Sequence, residues 1–521
     1  MTPLNSKNRV VIIGGGIGGL SAGLELRRRG YEVRILERHE TIGGKASTRV
    51  SAGFRWDEGP SIVVLTWVYR QLFEKAGLDP DAYLTFKKLE PAFKLKMADG
   101  RSLEFSSDPA RLRATIASID LGDAEGLDRF LAKCDRFAEL LGSSYCDRML
   151  DSWSDVLLSR LLLSAMIVPP QRKYTDEIDA HFQNPAIREL FYGLPTFSGY
   201  DPKTAPASLV ILPWTILREG VWYPSTGGIA AIPRAIARAA VDLGVEIETG
   251  VEVNQIHRER TGRVIGVSTS KGMISSDVVI SNADYIRTHQ MLEGGPALSP
   301  EILHRRSGKV SAAASYFTLQ LACNRRWDEM AHHMILLTKG SNQVYDEIFV
   351  QKTYPKDPAI YINVTSETDP GDATANGSNP FIVVGIPPIE PGTLPDPDRD
   401  LAYANLMIDR IDQQWLPGFR DSITEMKITS AHDWQNRFHA HKGAIYGLGT
   451  DQNILDGAFR PINTISEVPG LYFVGTSVQP GPGMPMVAQS GKIVAGLVER
   501  NHPIRSQSIG YRPRWASASK S

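Results

Sequence analysis

Cysteine is nearly missing from this 521-residue chain. Cys134, Cys146 and Cys323 are scattered, odd in number and without a C-x-x-C pair. That excludes a disulfide framework, a thiolate zinc site and a dithiol redox centre, and leads us to expect a reducing, cytoplasmic setting. An excess of either charge is missing too. With 57 basic and 58 acidic residues the formal charge is -1, so no global field draws in nucleic acid and none is expected as a partner. Long apolar runs are absent. The first, residues 10–13, stops at Gly14 and is too short for a signal peptide, and no charge-free stretch reaches the ~20 residues a spanning helix needs. Residues 161–168, ahead of Pro169-Pro170-Gln171-Arg172-Lys173, and residues 205–217, interrupted by Pro206 and Pro213, are shorter still. His257, His332 and His333 follow no ligand spacing, so no metal is expected and they read as surface or strand histidines.

What is present is an ordinary globular composition, 42% apolar and 22% charged, in a chain long enough for two or three units around a large core. Residues 9–13 read as a short buried strand, 17–29 as a helix closed by Gly30, and 32–37 as a second strand. Residues 68–220 read mostly as helix, with 71–76 stopped by Gly77 and 126–141 carrying Leu127, Phe130, Leu131 and Phe137 at helical spacing. A β-rich block follows from about Gly227, with a helix at 232–243 and strands at 246–249, 254–258, 264–269 and 277–281. Mixed structure continues to about 467, including a strand candidate at 312–321, before a compact strand at 471–474 and a helix at 486–498. After Glu499 the chain is basic, with Arg500, Arg505, Arg512, Arg514 and Lys520 and no acidic residue.

Between the first strand and first helix, Gly14, Gly16 and Gly19 form G-x-G-x-x-G, with Gly18 inside it. Gly14 permits the tight turn, Gly16 lets backbone approach a diphosphate, and Gly19 allows close packing of the helix, whose N-terminus offers free N–H groups. Glu37 ends the second strand 18 positions after Gly19, where a carboxylate can accept from both ribose hydroxyls of an adenosine. A Rossmann-type α/β unit binding a dinucleotide is therefore expected at the N-terminus. Gly447-x-Gly449 and Gly481-x-Gly483 lack a third glycine, so a second nucleotide is not expected.

Glu37-Arg38 followed by Gly43-Gly44-Lys45-Ala46-Ser47 resembles the extended flavin fingerprint of amine oxidases, phytoene desaturases and Rab GDP-dissociation inhibitors. Four further segments resemble the bacterial and fungal phytoene desaturase family, which includes carotenoid desaturases, isomerases and oxidases. They are Asp57-Glu58-Gly59-Pro60-Ser61, Tyr223-Pro224-Ser225-Thr226-Gly227-Gly228, Thr368-Asp369-Pro370, and the run from Leu471 through Gly475-Thr476 to Met484-Pro485. They lie in order across nearly the whole chain. The resemblance implies FAD as cofactor, with Gly475, Thr476, Met484, Pro485, Met486 and Val487 against the flavin, Gly59, Pro60 and Ser61 close by, and Val253 presenting backbone to the adenine. It implies hydride abstraction from an acyclic polyene such as phytoene or dehydrosqualene, with quinone or oxygen as electron acceptor. One departure stands out: where the family has Thr-His-Pro-Gly this chain has Val478-Gln479-Pro480-Gly481, so the family histidine is absent.

Hydride loss from an allylic carbon leaves a delocalised cation, so positioning dominates and few acid or base groups are needed. Asp57 and Glu58 are the candidate bases; solvation or helix capping is the competing reading. Trp222 and Tyr223 are tunnel lining or core aromatics. A polyene dissolves in bilayers, so peripheral, monotopic membrane contact is expected, with residues 161–168 in lipid and Arg172 and Lys173 toward headgroups, or else 161–168 is a core helix. The expected architecture is a discontinuous FAD domain of residues 1–65, 225–290 and 465–500, of the glutathione-reductase and amine-oxidase kind. A helical substrate and membrane-facing region at 66–224, a mixed α+β substrate domain at 291–464 and a basic tail at 501–521 complete it. Isomerisation or terminal oxidation of a carotenoid, amine oxidation, and non-catalytic prenyl binding are the alternatives.

Overall fold

The structure is a computed structural model that describes residues 9–141, 160–169, 171–293, 310–450 and 460–504. Cys146 and residues 505–521 of the basic tail lie outside them.

Strand β1 (Arg9–Ile13) is followed by helix α1 (Ile17–Arg28) and strand β2 (Glu32–Leu36). Val10, Val11, Ile12 and Ile13 are all buried, and this is why β1 reads as an unbroken apolar run: both faces of a parallel sheet are covered. The sheet has five parallel strands in the order Leu471–Phe473, Val278–Ser281, β1, β2, Glu246–Glu248. Its members come from three distant stretches of the chain. The register brings their carboxyl ends level, with Gly14 N donating to Leu36 O, Glu37 N to Glu248 O, Asn282 N to Ile13 O and Val474 N to Ser281 O, each at 2.8–2.9 Å. Whatever binds at that edge meets residues 14, 37, 282 and 474 together.

Val10 and Ile12 face a core shared with α1 and the helices Ala231–Asp242 and Met484–Asn501. Val11 and Ile13 face the other way, onto an antiparallel sheet of Val253–Arg258, Val264–Thr269 and Gly272–Ser275. The last helix starts two residues before the expected position, because Pro485 fits its first turn, where no intrahelical N–H is needed.

A second sheet of seven strands is built mainly from residues 315–429 with Phe93–Lys96 and Ser102–Phe105 added at one edge. Helices of the 66–220 block lie against it. The helix expected to begin at Gly126 runs from Leu121 to Leu141. Gly126 is internal to it because a Cβ there would sit 2.1 Å from His181 O, so the glycine admits a neighbouring segment rather than ending the helix. Phe130, Phe182 and Phe191 pack into one aromatic cluster beneath, with Phe182 and Phe191 stacked at 4.7 Å. Among the described residues no helix is long and apolar enough to cross a membrane.

Candidate active site

At the carboxyl edge of the parallel sheet lies a cavity of about 230 Å³. Gly14 and Gly16, Glu37 and Arg38, Gly43 to Lys45, Val253, Gly475 with Thr476, and Val487 all line it. Gly18 and Gly19 do not reach its wall; they serve from behind. Gly14 adopts φ +96, a backbone setting that side-chain-bearing residues avoid. A Cβ on Gly19 would lie 2.2 Å from Gly14 O, so only glycine lets α1 start this close to the turn. The helix has no side-chain cap and no acidic residue in its first turn, leaving its amide donors and partial positive charge for a ligand anion.

Glu37 Oε2 accepts from Gly15 N at 2.7 Å, and Oε1 accepts from His39 N at 2.9 Å and lies 2.9 Å from its ring. Burial works to raise this carboxyl, but the hydrogen bonds from His39 and Gly15 outweigh it and keep Glu37 below its ordinary value. It is thus a fixed carboxylate beside the turn. Lys45 donates to Ile445 O at 2.5 Å, and burial lowers its ammonium to about 8 even with Asp284 acting to raise it. Gly59, at φ +93, brings its chain to within 2.5 Å of Lys45 O as measured from a Cβ position, a contact that again requires glycine. These features fit FAD: an uncapped helix start for the diphosphate, a buried carboxylate for the ribose, and a glycine-walled slot ending at Thr476 and Val487.

Met486, one residue before Val487, belongs to the wall of a second and larger cavity of about 630 Å³. The start of the last helix therefore stands between the two. Met484 and Pro485, together with Pro60 and Ser61, complete the near side of the larger cavity. Its far walls are Leu95, Ile335 and Val383 from the seven-stranded sheet and Phe137, Leu194 and Trp214 from the helical block. On the near side the Tyr361 hydroxyl sits 2.8 Å from both Ser61 Oγ and His333 Nδ1. Burial drives His333 down to about 3 and His332 well below its usual value, so both imidazoles are neutral. They are buried strand-end residues.

Asp57 and Glu58, the candidate bases, line neither cavity. Asp57 is 1% exposed and accepts from Arg55 at 2.8 Å, the Tyr223 hydroxyl at 2.7 Å and Ile229 N at 3.0 Å. Burial pushes its carboxyl up, against the pull of Arg55 and Tyr223. Glu58 accepts from Lys427 at 3.0 Å and Arg437 at 2.7 Å; burial raises it, but these two cations prevail and hold it at about 2. Glu58 ties the Phe54–Glu58 strand to the Ile423–Thr429 strand and the Ala431–Phe438 helix, Asp57 ties it to Tyr223 and Ile229, and neither carboxylate faces a cavity. Tyr223 belongs to this network and is buried core, not tunnel lining.

Among the residues of the cradle with no sequence signal assigned to them are Asn282 and Asp284. Asn282 follows the strand Val278–Ser281, and its amide lies within 2.6 Å of where a Cβ on Gly16 would be and 2.7 Å of one on Gly18. Asp284 caps the next helix through Ile286 N at 2.9 Å and lines the same cavity. A signal existed in their position: an Asn-Ala-Asp run directly after an apolar strand, at the sheet edge where ligands of open α/β folds bind.

This cradle and fold define an FAD-dependent oxidoreductase. Residues 17–498 match the model of the flavin containing amine oxidoreductase family, and the chain belongs to that family. It is 29% identical over 495 residues to a 4,4'-diapolycopene oxygenase of a Methylomonas species, with 94% of this chain and 98% of that protein covered. It is 28% identical over 531 residues to the zeta-carotene-forming phytoene desaturase of Myxococcus xanthus, covering 99% and 98%. Among solved structures, an oxidoreductase from Methanosarcina mazei superposes with a TM-score of 0.61 at 16% identity over 94% of this chain and all of that one, a likeness of fold.

Proposed function

We propose that this protein is a carotenoid-pathway desaturase that removes hydride from an acyclic polyene of the phytoene or dehydrosqualene kind and extends its conjugation. The observation that carries the reading is the larger cavity, apolar on most of its wall and reaching the flavin cradle at Met484, Pro485 and Met486. The full-length relatives named above, a carotenoid desaturase and a carotenoid oxygenase, support it; isomerisation or terminal oxidation would use the same frame.

FAD, when bound, supplies a ring that accepts the hydride and passes electrons to quinone or oxygen. The chain's own contribution is placement. Leu95, Ile335, Val383 and Trp214 hold a hydrocarbon against the cradle and exclude water. The uncapped start of the Met484–Asn501 helix, with no acidic residue in its first turn, stabilises negative charge near it. Residues 1–65, 225–290 and 465–500 form the flavin domain in this reading, and 66–224 with 291–464 the substrate part.

A polyene arrives from a bilayer, and the short helix Leu161–Ile167 suits its entry. Ser164, Ala165 and Val168 belong to the cavity wall, whereas Leu163 and Met166 are 49% and 78% exposed. An apolar outer face beside the tunnel, with Arg172 and Lys173 nearby in sequence, supports peripheral membrane docking at the cytoplasmic side.

The test is to incubate purified protein and FAD with phytoene, dehydrosqualene and their partly desaturated products in liposomes, then resolve the pigments by chromatography. Products with longer conjugation and red-shifted absorption are expected. Unchanged polyenes, together with peroxide release from an amine panel, would overturn the reading in favour of amine oxidation.

A further inference from the structure

A cavity for a pure hydrocarbon needs no carboxyl on its wall, yet Glu189 and Glu219 are both there, and Glu189 is bonded to a hydroxyl of the same wall. It sits on the helix Pro185–Tyr192, between the buried Ile187 and Leu190, opposite the helix Ser341–Tyr345. Glu189 Oε1 accepts from Ser341 Oγ at 2.9 Å. Among the described residues, nothing donates to Oε2 and no Lys, Arg or His pairs with the group. Burial raises its pKa, with the Ser341 hydroxyl pulling weakly the other way. Three other polar groups of the wall are turned onto protein partners: Tyr316 onto Thr196 O, Tyr361 onto Ser61 and His333, Thr215 onto Ile211 O. The half-buried Glu189 carboxyl loses water when a hydrocarbon fills the cavity, and a ligand oxygen would restore a partner.

Resting on the polyene reading above, we infer that the cavity prefers a polyene that carries an oxygen function, a hydroxyl or an aldehyde, over the bare hydrocarbon, with Glu189 and Ser341 holding that oxygen by hydrogen bonds. The carboxyl can accept from a substrate hydroxyl, and the Ser341 hydroxyl can accept from a hydroxyl or donate to a carbonyl. Such a site binds the bare hydrocarbon less tightly without excluding it, since the carboxyl then faces hydrocarbon instead of a partner. Glu189 and Ser341 are thus specificity-determining positions, separate from the cofactor cradle.

The experiment measures dissociation constants on the FAD-loaded protein, by quenching of tryptophan fluorescence, for a polyene hydrocarbon and for its terminally hydroxylated and aldehyde forms of equal length. The wild type is expected to bind the oxygenated forms at least tenfold more tightly. Glu189→Leu should abolish that preference and bind the hydrocarbon no worse, Glu189→Gln should retain it, and Ser341→Ala should reduce it. Flavin absorbance checks that each variant is folded. Equal affinities in the wild type, an unchanged ratio in Glu189→Leu, or loss of long-chain amine binding with an unmoved polyene ratio would each overturn the inference. Binding separates it from the reading it rests on: a protein that binds oxygenated polyenes selectively and oxidises none sinks the proposed reaction and keeps this site.

Discussion

Two glycines of the last helix, five residues apart, should respond oppositely to the same substitution. Gly491 faces α1, where a Cβ would lie 2.6 Å from Ala22 N, 2.8 Å from Gly18 O and 2.8 Å from Ser21 Cβ. Two of these atoms are backbone and cannot swing aside, so the helices must part by the better part of an ångström. Gly496 has only the tip of Arg29 nearby, at 3.8 Å. Alanine in a helix interior gains about 1 kcal/mol over glycine, and at Gly496 nothing opposes that gain. At Gly491 overpacking works against it, by about 1–3 kcal/mol and more where backbone must move. The displaced contact lies behind the diphosphate turn, and the moving helix also carries Met484 to Val487 at the flavin end. Gly491→Ala should therefore weaken FAD binding by roughly 10- to 100-fold, the equivalent of that energy. Gly496→Ala should leave it unchanged and raise the melting temperature slightly. Apoprotein titrated with FAD while following flavin fluorescence, alongside thermal unfolding of both variants, reads the difference. If Gly491→Ala binds FAD like the wild type and melts as high as Gly496→Ala, the close packing of these helices is not what shapes the cradle.

Asp57→Asn removes the charge that Arg55 faces in a buried network, leaving the guanidinium with Asp372 alone; destabilisation of about 3–5 kcal/mol is expected in denaturant unfolding, with FAD affinity little changed once folded. Glu58 is held at about 2 against an ordinary 4.5, so its stabilisation is complete above pH 4.5 and fades as the pH falls toward 2. Glu58→Gln should lower stability at neutral pH and flatten the acid limb between those values, and parallel acid curves for the two proteins would contradict the assignment. Leu163→Asp combined with Met166→Asp, both on the exposed face of their helix, should cut cosedimentation with liposomes severalfold at full flavin content. Undiminished pelleting would place the membrane contact elsewhere.

Much of the wall of the smaller cavity was legible in the sequence and most of the wall of the larger one was not, for a physical reason. A turn that must reach φ +96 at Gly14, or admit a backbone oxygen 2.2 Å from a Cβ position at Gly19, accepts one residue type, so the requirement is written in the sequence. Glu37 is legible for the same reason, since its place at the end of β2 is fixed by the strand before it. Asn282 follows a strand that pairs with β1 from more than 260 positions away, and no local pattern announces that pairing. Asp57 and Glu58 line neither cavity, and the sequence did not say so because a carboxylate beside a site looks the same there whether it faces the ligand or an arginine. Only the partners Arg55, Lys427 and Arg437, brought in by the fold, decide it.

An apolar wall asks only for volume, and many side chains supply that. Leu95, Ile335 and Val383 could exchange among aliphatic residues at small energetic cost while the cavity kept its character. Substrate choice within one flavin frame must therefore reside where the wall departs from hydrocarbon, because a single hydrogen-bonding group discriminates far more strongly than a methylene does. Glu189, with one oxygen bonded to Ser341 and the other left for a ligand, is such a departure.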